Sequence, residues 1–239
     1  RVVCGAHVAS ASALACGVRL VLEFDGSVTA VKWHRKGDYL STMAPSCGAA
    51  AVLVHQLSRG RSQQPFKKAL GKVTAMEFHP VKPFFFLANQ QTVKIYHLVK
   101  QALVKELKSN CKWISSMDVH PTGDHVIVGS FDKKVAWFDL DLGGNPFKVL
   151  RYHTKAVRAV KIHRTYPLFA TCSDDGAIHI FHGRVYDDLM RNPLLVPLKI
   201  LRAHEVTNGL GVLDIAWHPK QPWLFAVGGD GNVTLFQDI

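Results

Sequence analysis

The sequence predicts an all-β protein built from tandem copies of one small sheet, and three observations predict it. First, residues 151–181 (RYHTKAVRAVKIHRTYPLFATCSDDGAIHIF) read as three short strands. Val160 and Ile162 share a face of the first, Leu168 to Cys172 form a nearly continuous apolar run in the second, and Ile178, Ile180 and Phe181 fill the third. A strand that is apolar without alternation is one covered on both faces. Asp175-Gly176 supplies the positive φ of a two-residue hairpin between the second and third strands. Second, a histidine closes the first strand of five successive units: His34, His79, His120, His163 and His218, at spacings of 45, 41, 43 and 55 residues. Third, the last strand repeats an apolar-x-apolar-aromatic pattern: Val93, Ile95, Tyr96; Val135, Trp137, Phe138; Ile178, Ile180, Phe181; Val233, Leu235, Phe236. In the first unit His55 replaces the terminal aromatic. One such sheet cannot bury both faces alone, so the copies must stack on each other.

A period of roughly 40–45 residues, with strands and no helical periodicity, is that of WD-type β-propeller blades. Five clear blades and a partial one are legible. Residues 1–27 fit the repeat poorly and read as the remnant of a preceding blade, with Val18 to Phe24 a strand leading into the first full unit. Blade one covers 28–57. The connection after it, SRGRSQQPFKKALGK, carries Arg59, Arg61, Lys67, Lys68 and Lys72 with no acid. With Gly60, Ser62, Pro65 and Phe66 in the same run, it suits a phosphate backbone and offers one ring for stacking.

Blade two (73–98) has Gln90 where other blades place a turn aspartate; blade three (114–140) has Asp132 there and ends in Trp137-Phe138-Asp139. Leading into blade four (156–182), residues 148–164 hold Lys148, Arg151, Lys155, Arg158, Lys161 and Arg164 and no acid. Alternation divides these between rim loops and strand faces. The long spacing before blade five (212–237) comes from an insertion at 183–199, GRVYDDLMRNPLLVPLK. Asp187-Asp188 to Met190 read as one helical turn, stopped by Pro193. Leu194, Leu195 and Val196 need burial against the blade or under a partner. Long ordered loops on rigid scaffolds are often functional, which makes Tyr186, Asp187, Asp188, Leu194 and Leu195 candidate partner contacts.

At 239 residues and 48% hydrophobic content the chain has ample material for a core. No apolar run reaches the roughly 18 residues of a membrane span. The five cysteines are odd in number and scattered, with no CxxC, a reduced and intracellular pattern. Lys and Arg number 29 against 18 Asp and Glu, a net charge of +11. That excess points to a polyanionic partner, nucleic acid before membrane. The nucleic-acid candidates are accordingly Arg59, Arg61, Lys67, Lys68, Lys72, Arg151, Lys155, Arg158 and Arg164.

His153, Ser173 and Asp175 have the residue types of a hydrolase triad. The same types at these places in a WD blade form a structural network, the turn aspartate accepting from a loop histidine that bridges to a strand hydroxyl. Buried polar groups must be satisfied, and the network does so. Phe181 stands where such a blade normally has a Trp. His204 and Asp230 make the same pair in blade five, and Asp132 occupies the turn of blade three. The strand-closing histidines lie on a wide ring and cannot converge on a zinc ion. Gly228-Gly229-Asp230-Gly231 is a hairpin turn rather than a phosphate loop opening a helix. No catalytic residue, cofactor, metal or small-molecule substrate is expected.

Several segments resemble one family closely: KWHRKGDYL (32–40), SRGRSQQPFKK (58–68), NCKWISSMDVHPTGDHVIVGS (110–130), HGRVYDDLMRNPLLVPLK (182–199) and LGVLDIAWHPKQPWLF (210–225). They look like the carboxy-terminal propeller of the Bop/Erb ribosome-biogenesis proteins, over about residues 18–239. Individual WD features are common; the insertion together with the basic SRGRSQQPFKK loop carries the resemblance. It implies a seven-bladed propeller and a non-catalytic scaffold in assembly of the large ribosomal subunit, supporting pre-rRNA processing. It also implies a trimeric complex with pescadillo and the WD-repeat protein Ytm, contact with pre-ribosomal RNA, and a place in the nucleolus and nucleoplasm. The alternative is a protein-only WD-repeat adaptor of another nuclear complex, its positive charge serving an acidic partner.

Overall fold

A computed structural model describes residues 4–8, 15–18, 20–66, 71–186, 191–237 and 239. It is a propeller arrangement of five antiparallel sheets. A hairpin, β1 (Cys4–Val8) with β2 (Leu20–Phe24), precedes them. The first sheet is β3 (Ala30–Trp33), β4 (Tyr39–Met43), β5 (Val52–Gln56) and β6 (Arg61–Gln63); the second is β7 (Ala75–Phe78), β8 (Phe84–Ala88), β9 (Thr92–His97) and β10 (Ala102–Lys108). The third is β11 (Ile114–Val119), β12 (His125–Ser130), β13 (Val135–Asp139) and β14 (Lys148–Leu150). The fourth is β15 (Val157–Ile162), β16 (Leu168–Ser173), β17 (Ile178–Arg184) and β18 (Leu194–Leu201); the fifth has three strands, β19 (Val212–Trp217), β20 (Leu224–Gly228) and β21 (Val233–Phe236).

The first four sheets therefore have four strands, where the pattern in the sequence shows three. The fourth strand comes each time from what reads as connection. It is short or amphipathic, and it lies on the outside, where one face meets water. Arg61–Gln63 of the basic loop pairs with β5, and Leu194–Leu201 of the insertion pairs along the whole of β17. The expected helical turn at Asp187 to Met190 lies outside the described residues. The hairpin after β16 also differs from the two-residue form. Residues 174–177 make a four-residue loop in which only Gly176 takes a positive φ, of 77°.

Stacking explains the apolar middle strands. β12 and β16 are buried along their whole length, and alternate residues face opposite neighbours. Val126 and Val128 pack on Phe86 and Ile95 of the second sheet, whereas Ile127 packs with Phe169 and Phe181 of the fourth. Phe169 faces the third sheet while Leu168, Ala170 and Cys172 face Leu224 and Ile215 of the fifth. On the first sheet Leu53 meets Leu22 and Phe24 of the preceding hairpin.

The first strands line a central cavity of about 580 Å³, with Lys32, Glu77, Asp118 and Lys161 at its middle level and Lys32 paired to Glu77 at 2.6 Å. These strands have a free backbone edge toward the axis, and free edges need partners. Neighbouring side chains supply them. The N–H groups of Val160 and Ile162 donate to Ser116 Oγ at 2.9 Å and Asp118 Oδ2 at 2.8 Å, and Trp217 Nε1 donates to the Lys161 carbonyl at 3.0 Å.

The five strand-closing histidines have a shared task. Each Nδ1 accepts a backbone N–H from the turn that follows, as from Lys36 to His34 (3.3 Å), Val81 to His79 (2.9 Å) and Thr122 to His120 (3.3 Å). Thr165 does so to His163 (3.1 Å) and Lys220 to His218 (3.2 Å). An acceptor Nδ1 requires an uncharged ring. Burial favours this, pushing His79 and His120 each down to about 4. Among the described residues no group of three His, Cys, Asp or Glu is placed to hold a metal ion, and no helix is long and apolar enough to cross a membrane.

Candidate nucleic-acid interface

Strand direction gives the array two ends. At the upper end lie the loops leading into each first strand and the hairpins between second and third strands; at the lower end lie the turns closed by the histidines and the turns between third and fourth strands. The basic residues picked from the sequence divide between these ends. Arg59 and Arg61 are exposed at the lower end, beside the Asp38 carboxylate, which Ser58 and Gln56 hold. Lys72 of the same run is exposed at the upper end, because the outer strand carries the chain from one end to the other. Lys67 and Lys68 lie outside the described residues. Arg151 and Lys155 are exposed at the upper end, whereas Arg164 is exposed at the lower mouth of the axial cavity. Arg158 sits near the upper end but is committed to Asp174, with Nε at 2.8 and 2.9 Å and Nη2 at 2.7 Å from the carboxylate oxygens. Neither acid-free segment is therefore a single patch. The ring assigned to stacking in the first segment is also unavailable. Phe66 is 5% exposed and packs between Phe85 and Tyr96, since an apolar residue following an outer strand folds back onto the core.

The upper end brings together residues the charge pattern passes over. Trp113, from the loop before β11, is 37% exposed, and Phe131, from the β12–β13 hairpin, is 39% exposed; their ring centroids are 6.4 Å apart at 52°. Lys72 Nζ lies 4.5 Å from the Trp113 centroid and the Arg158 guanidinium 5.3 Å from that of Phe131. Each contact is within cation–π range. The result is a line of cation, ring, ring and cation across three sheets. Lys112, Lys133 and Lys155 are exposed around it. The aspartates nearby are consumed internally: Asp132 by Ser130 and by Lys134 at 2.8 Å, Asp174 by Arg158, Asp175 by His153 and Thr154. The signal in the sequence was Lys112-Trp113 and Phe131-Asp132-Lys133-Lys134, aromatics flanked by lysine at consecutive turns of one sheet.

The polar network of the fourth sheet has a different hydroxyl from the one expected. His153 Nδ1–H donates to Asp175 Oδ2 at 3.2 Å, and His153 Nε2 accepts from Thr171 Oγ1 at 2.8 Å. Ser173, two residues along on the same face, instead accepts the Asp175 N–H at 3.2 Å. Ser173 is fully buried and does not touch the imidazole, so the serine–histidine contact of a hydrolase triad is not made; the hydroxyl that does reach His153, Thr171, is itself fully buried. Burial pushes the Asp175 carboxyl up, but hydrogen bonds from His153 and from the Thr154 and Ala177 N–H groups outweigh it and hold the group ionised well below the usual range. In the fifth sheet His204 Nδ1 meets Asp230 at 3.1 Å while Nε2 is buried without a partner among the described residues, because Ala226 stands where Thr171 does. The Asn232 N–H and His204 hold Asp230 down to about 2. Asp132 meets no histidine among the described residues; Ser130, Lys134 and the Lys112 N–H hold it instead.

Of the candidate partner contacts, Tyr186 is half-buried between the guanidinium groups of Arg184 (5.4 Å) and Arg191 (5.8 Å). Leu195 is buried against the third and fourth sheets, and Leu194 is 45% exposed on β18 beside Val196, Leu198 and Ile200. Asp187 and Asp188 lie outside the described residues.

Comparison with known proteins gives two findings. The model of the WD domain, G-beta repeat, matches residues 101–139, 144–182 and 195–237. The chain is also 54% identical over 220 residues to ribosome biogenesis protein BOP1 of Rattus norvegicus, across 92% of this chain and 30% of that protein. It is 54% identical over 211 residues to ribosome biogenesis protein ERB1 of Coprinopsis cinerea (88% and 28%), and 53% identical over 220 residues to human BOP1 (92% and 30%). The chain thus spans about 30% of the length of these relatives.

Proposed function

The chain belongs to the WD-repeat family, with the Bop/Erb resemblance holding over 92% of its length, and on that premise we propose that it serves ribosome biogenesis as a non-catalytic scaffold. In this reading its sheets hold pre-ribosomal RNA and partner assembly factors together during maturation of the large subunit. The observation that carries it is the 54% identity, over 220 residues, to a protein named for ribosome biogenesis. A supporting feature is that the histidines, aspartates and hydroxyls of the blades are consumed in holding loops to strands. Offered outward are exposed lysines and arginines, together with exposed rings at Trp33, Trp113, Phe131, Tyr152, Tyr166 and Phe225. The resemblance further suggests pescadillo and Ytm as the protein partners and the nucleolus as the site of action.

The test is purification of the tagged protein from cells, with sedimentation and sequencing of the RNA that accompanies it. Recovery with precursors of the large-subunit RNA is expected. Recovery with proteins alone, free of ribosomal precursors, would favour the protein-only adaptor, for which the exposed apolar row on β18 is the surface at hand.

A further inference from the structure

Resting on that RNA reading, we propose that the upper ends of the second to fourth sheets form a platform for unpaired nucleotides. Trp113 and Phe131 stack bases, and Lys72, Lys112, Lys133 and Lys155 take the flanking phosphates. Single-strand sites combine aromatic faces with a cationic track, and here both run the same way across adjacent sheets. The 52° tilt between the rings, at 6.4 Å, means that each takes its own base rather than sandwiching one. Arg158, held flat by its two-oxygen pairing to Asp174, extends the stacking surface next to Phe131 instead of meeting phosphate. A duplex hides its base faces, so only a single strand uses the rings.

Lys133 provides an independent pointer. It occupies the left-handed position of its hairpin, at φ 69°, where the fourth and fifth sheets place Gly176 (77°) and Gly231 (79°). A lysine there strains the backbone, and strain kept at an exposed loop tip signals use of the side chain. The charge balance favours nucleic acid over an acidic peptide, since a peptide matches the lysines but leaves the two rings without flat partners.

The experiment measures anisotropy of a labelled oligouridylate of about twelve nucleotides, and of an RNA duplex of equal length, against the full chain. The single strand is expected to bind more tightly. Trp113→Ala and Phe131→Ala should each weaken it about fivefold or more and leave the duplex unchanged, while Trp113→Phe retains most of the affinity. Lys133→Gly should lower the salt slope by about 0.7 yet melt no lower than the parent, which separates binding from folding. Equal affinity for duplex, or unchanged binding by both alanine variants, overturns the platform. If Arg59→Glu with Arg61→Glu abolishes binding and the upper-end variants do not, the RNA reading stands and the platform falls. Absence of any RNA binding removes both, and displacement by polyglutamate as effective as by RNA assigns the surface to an acidic peptide.

Discussion

The buried imidazole of His204 makes Ala226→Ser a discriminating substitution. Its Nδ1–H donates to Asp230 at 3.1 Å, its side chain is fully buried, and Nε2 has no partner among the described residues. In the fourth sheet the equivalent Nε2 of His153 accepts from Thr171 at 2.8 Å. Ala226 occupies the register of Thr171, so a hydroxyl added there meets a waiting acceptor. A buried hydrogen bond stabilises by about 0.5–1.5 kcal/mol net, and it also relieves the cost already borne by the orphaned nitrogen. Against this, the hydroxyl enters surroundings that include Leu224 and Ile215, a cost of about 1–3 kcal/mol if it stayed unpaired. The expected balance is a gain of about 1 kcal/mol. The reciprocal change, Thr171→Val, keeps the shape and strips His153 of its partner, and should cost about 1–3 kcal/mol. Urea unfolding followed by tryptophan fluorescence reads both changes, with m-values required to match. A destabilised Ala226→Ser together with a neutral Thr171→Val would refute the idea that chains of hydroxyl, histidine and aspartate hold the upper loops to the sheets.

Other consequences can be measured on the same protein. His79, His120 and His179 are each held down to about 4 by burial, against an ordinary 6.5. The unfolded chain therefore takes up protons first as pH falls, and stability should drop between about pH 6.5 and 4; a constant urea midpoint across that window contradicts this. Asp118→Ala removes the acceptor for the Ile162 N–H on the axial edge and should cost about 1–3 kcal/mol, read by the same unfolding curves. Gly211→Ala would bring a Cβ to 2.6 Å from the Gly176 nitrogen and 2.8 Å from the Ser173 carbonyl oxygen. A loss of about 1–3 kcal/mol or more is expected from such crowding, and a neutral result would mean that the fourth and fifth sheets are less tightly docked than described. Ser173→Ala should cost about 1 kcal/mol; an activity present in the parent and lost in this variant would overturn the non-catalytic reading.

The stacked sheets were legible because burial on both faces leaves a direct trace. Leu168 to Cys172 is apolar but for Thr171, without alternation, because each neighbour sheet claims every second residue. The histidine spacing was legible for a similar reason, each ring being tied to one turn. Outer strands leave weaker traces. Arg61–Gln63 carries no apolar pattern, and the eight residues of β18 resemble an insertion because all but Leu195 and Leu201 are exposed. The candidate site was harder still. Arg59 and Lys72 are close in sequence and lie at opposite ends of the array, while Lys72 and Trp113, some forty residues apart, are in contact. Charge counted along the chain cannot reveal that, since the strands between them reverse direction repeatedly. Phe66 lies in a polar stretch of sequence yet is buried against Phe85 and Tyr96, and the residues beside it carry no sign of that packing. Thr171 and Ser173 share a face with period two, so only coordinates separate the one that reaches His153.

The central claim, that the upper end of a stacked array meets nascent ribosomal RNA, is tested most directly by one measurement. Photo-crosslinked large-subunit precursors are purified through the tagged protein, and the RNA-bearing peptides are mapped by mass spectrometry. The expected result is crosslinks on the segment from Lys112 to Lys134, centred on Trp113 and Phe131. Crosslinks confined to the lower end, at Arg59, Arg61 or Arg164, or peptides free of RNA altogether, would contradict it.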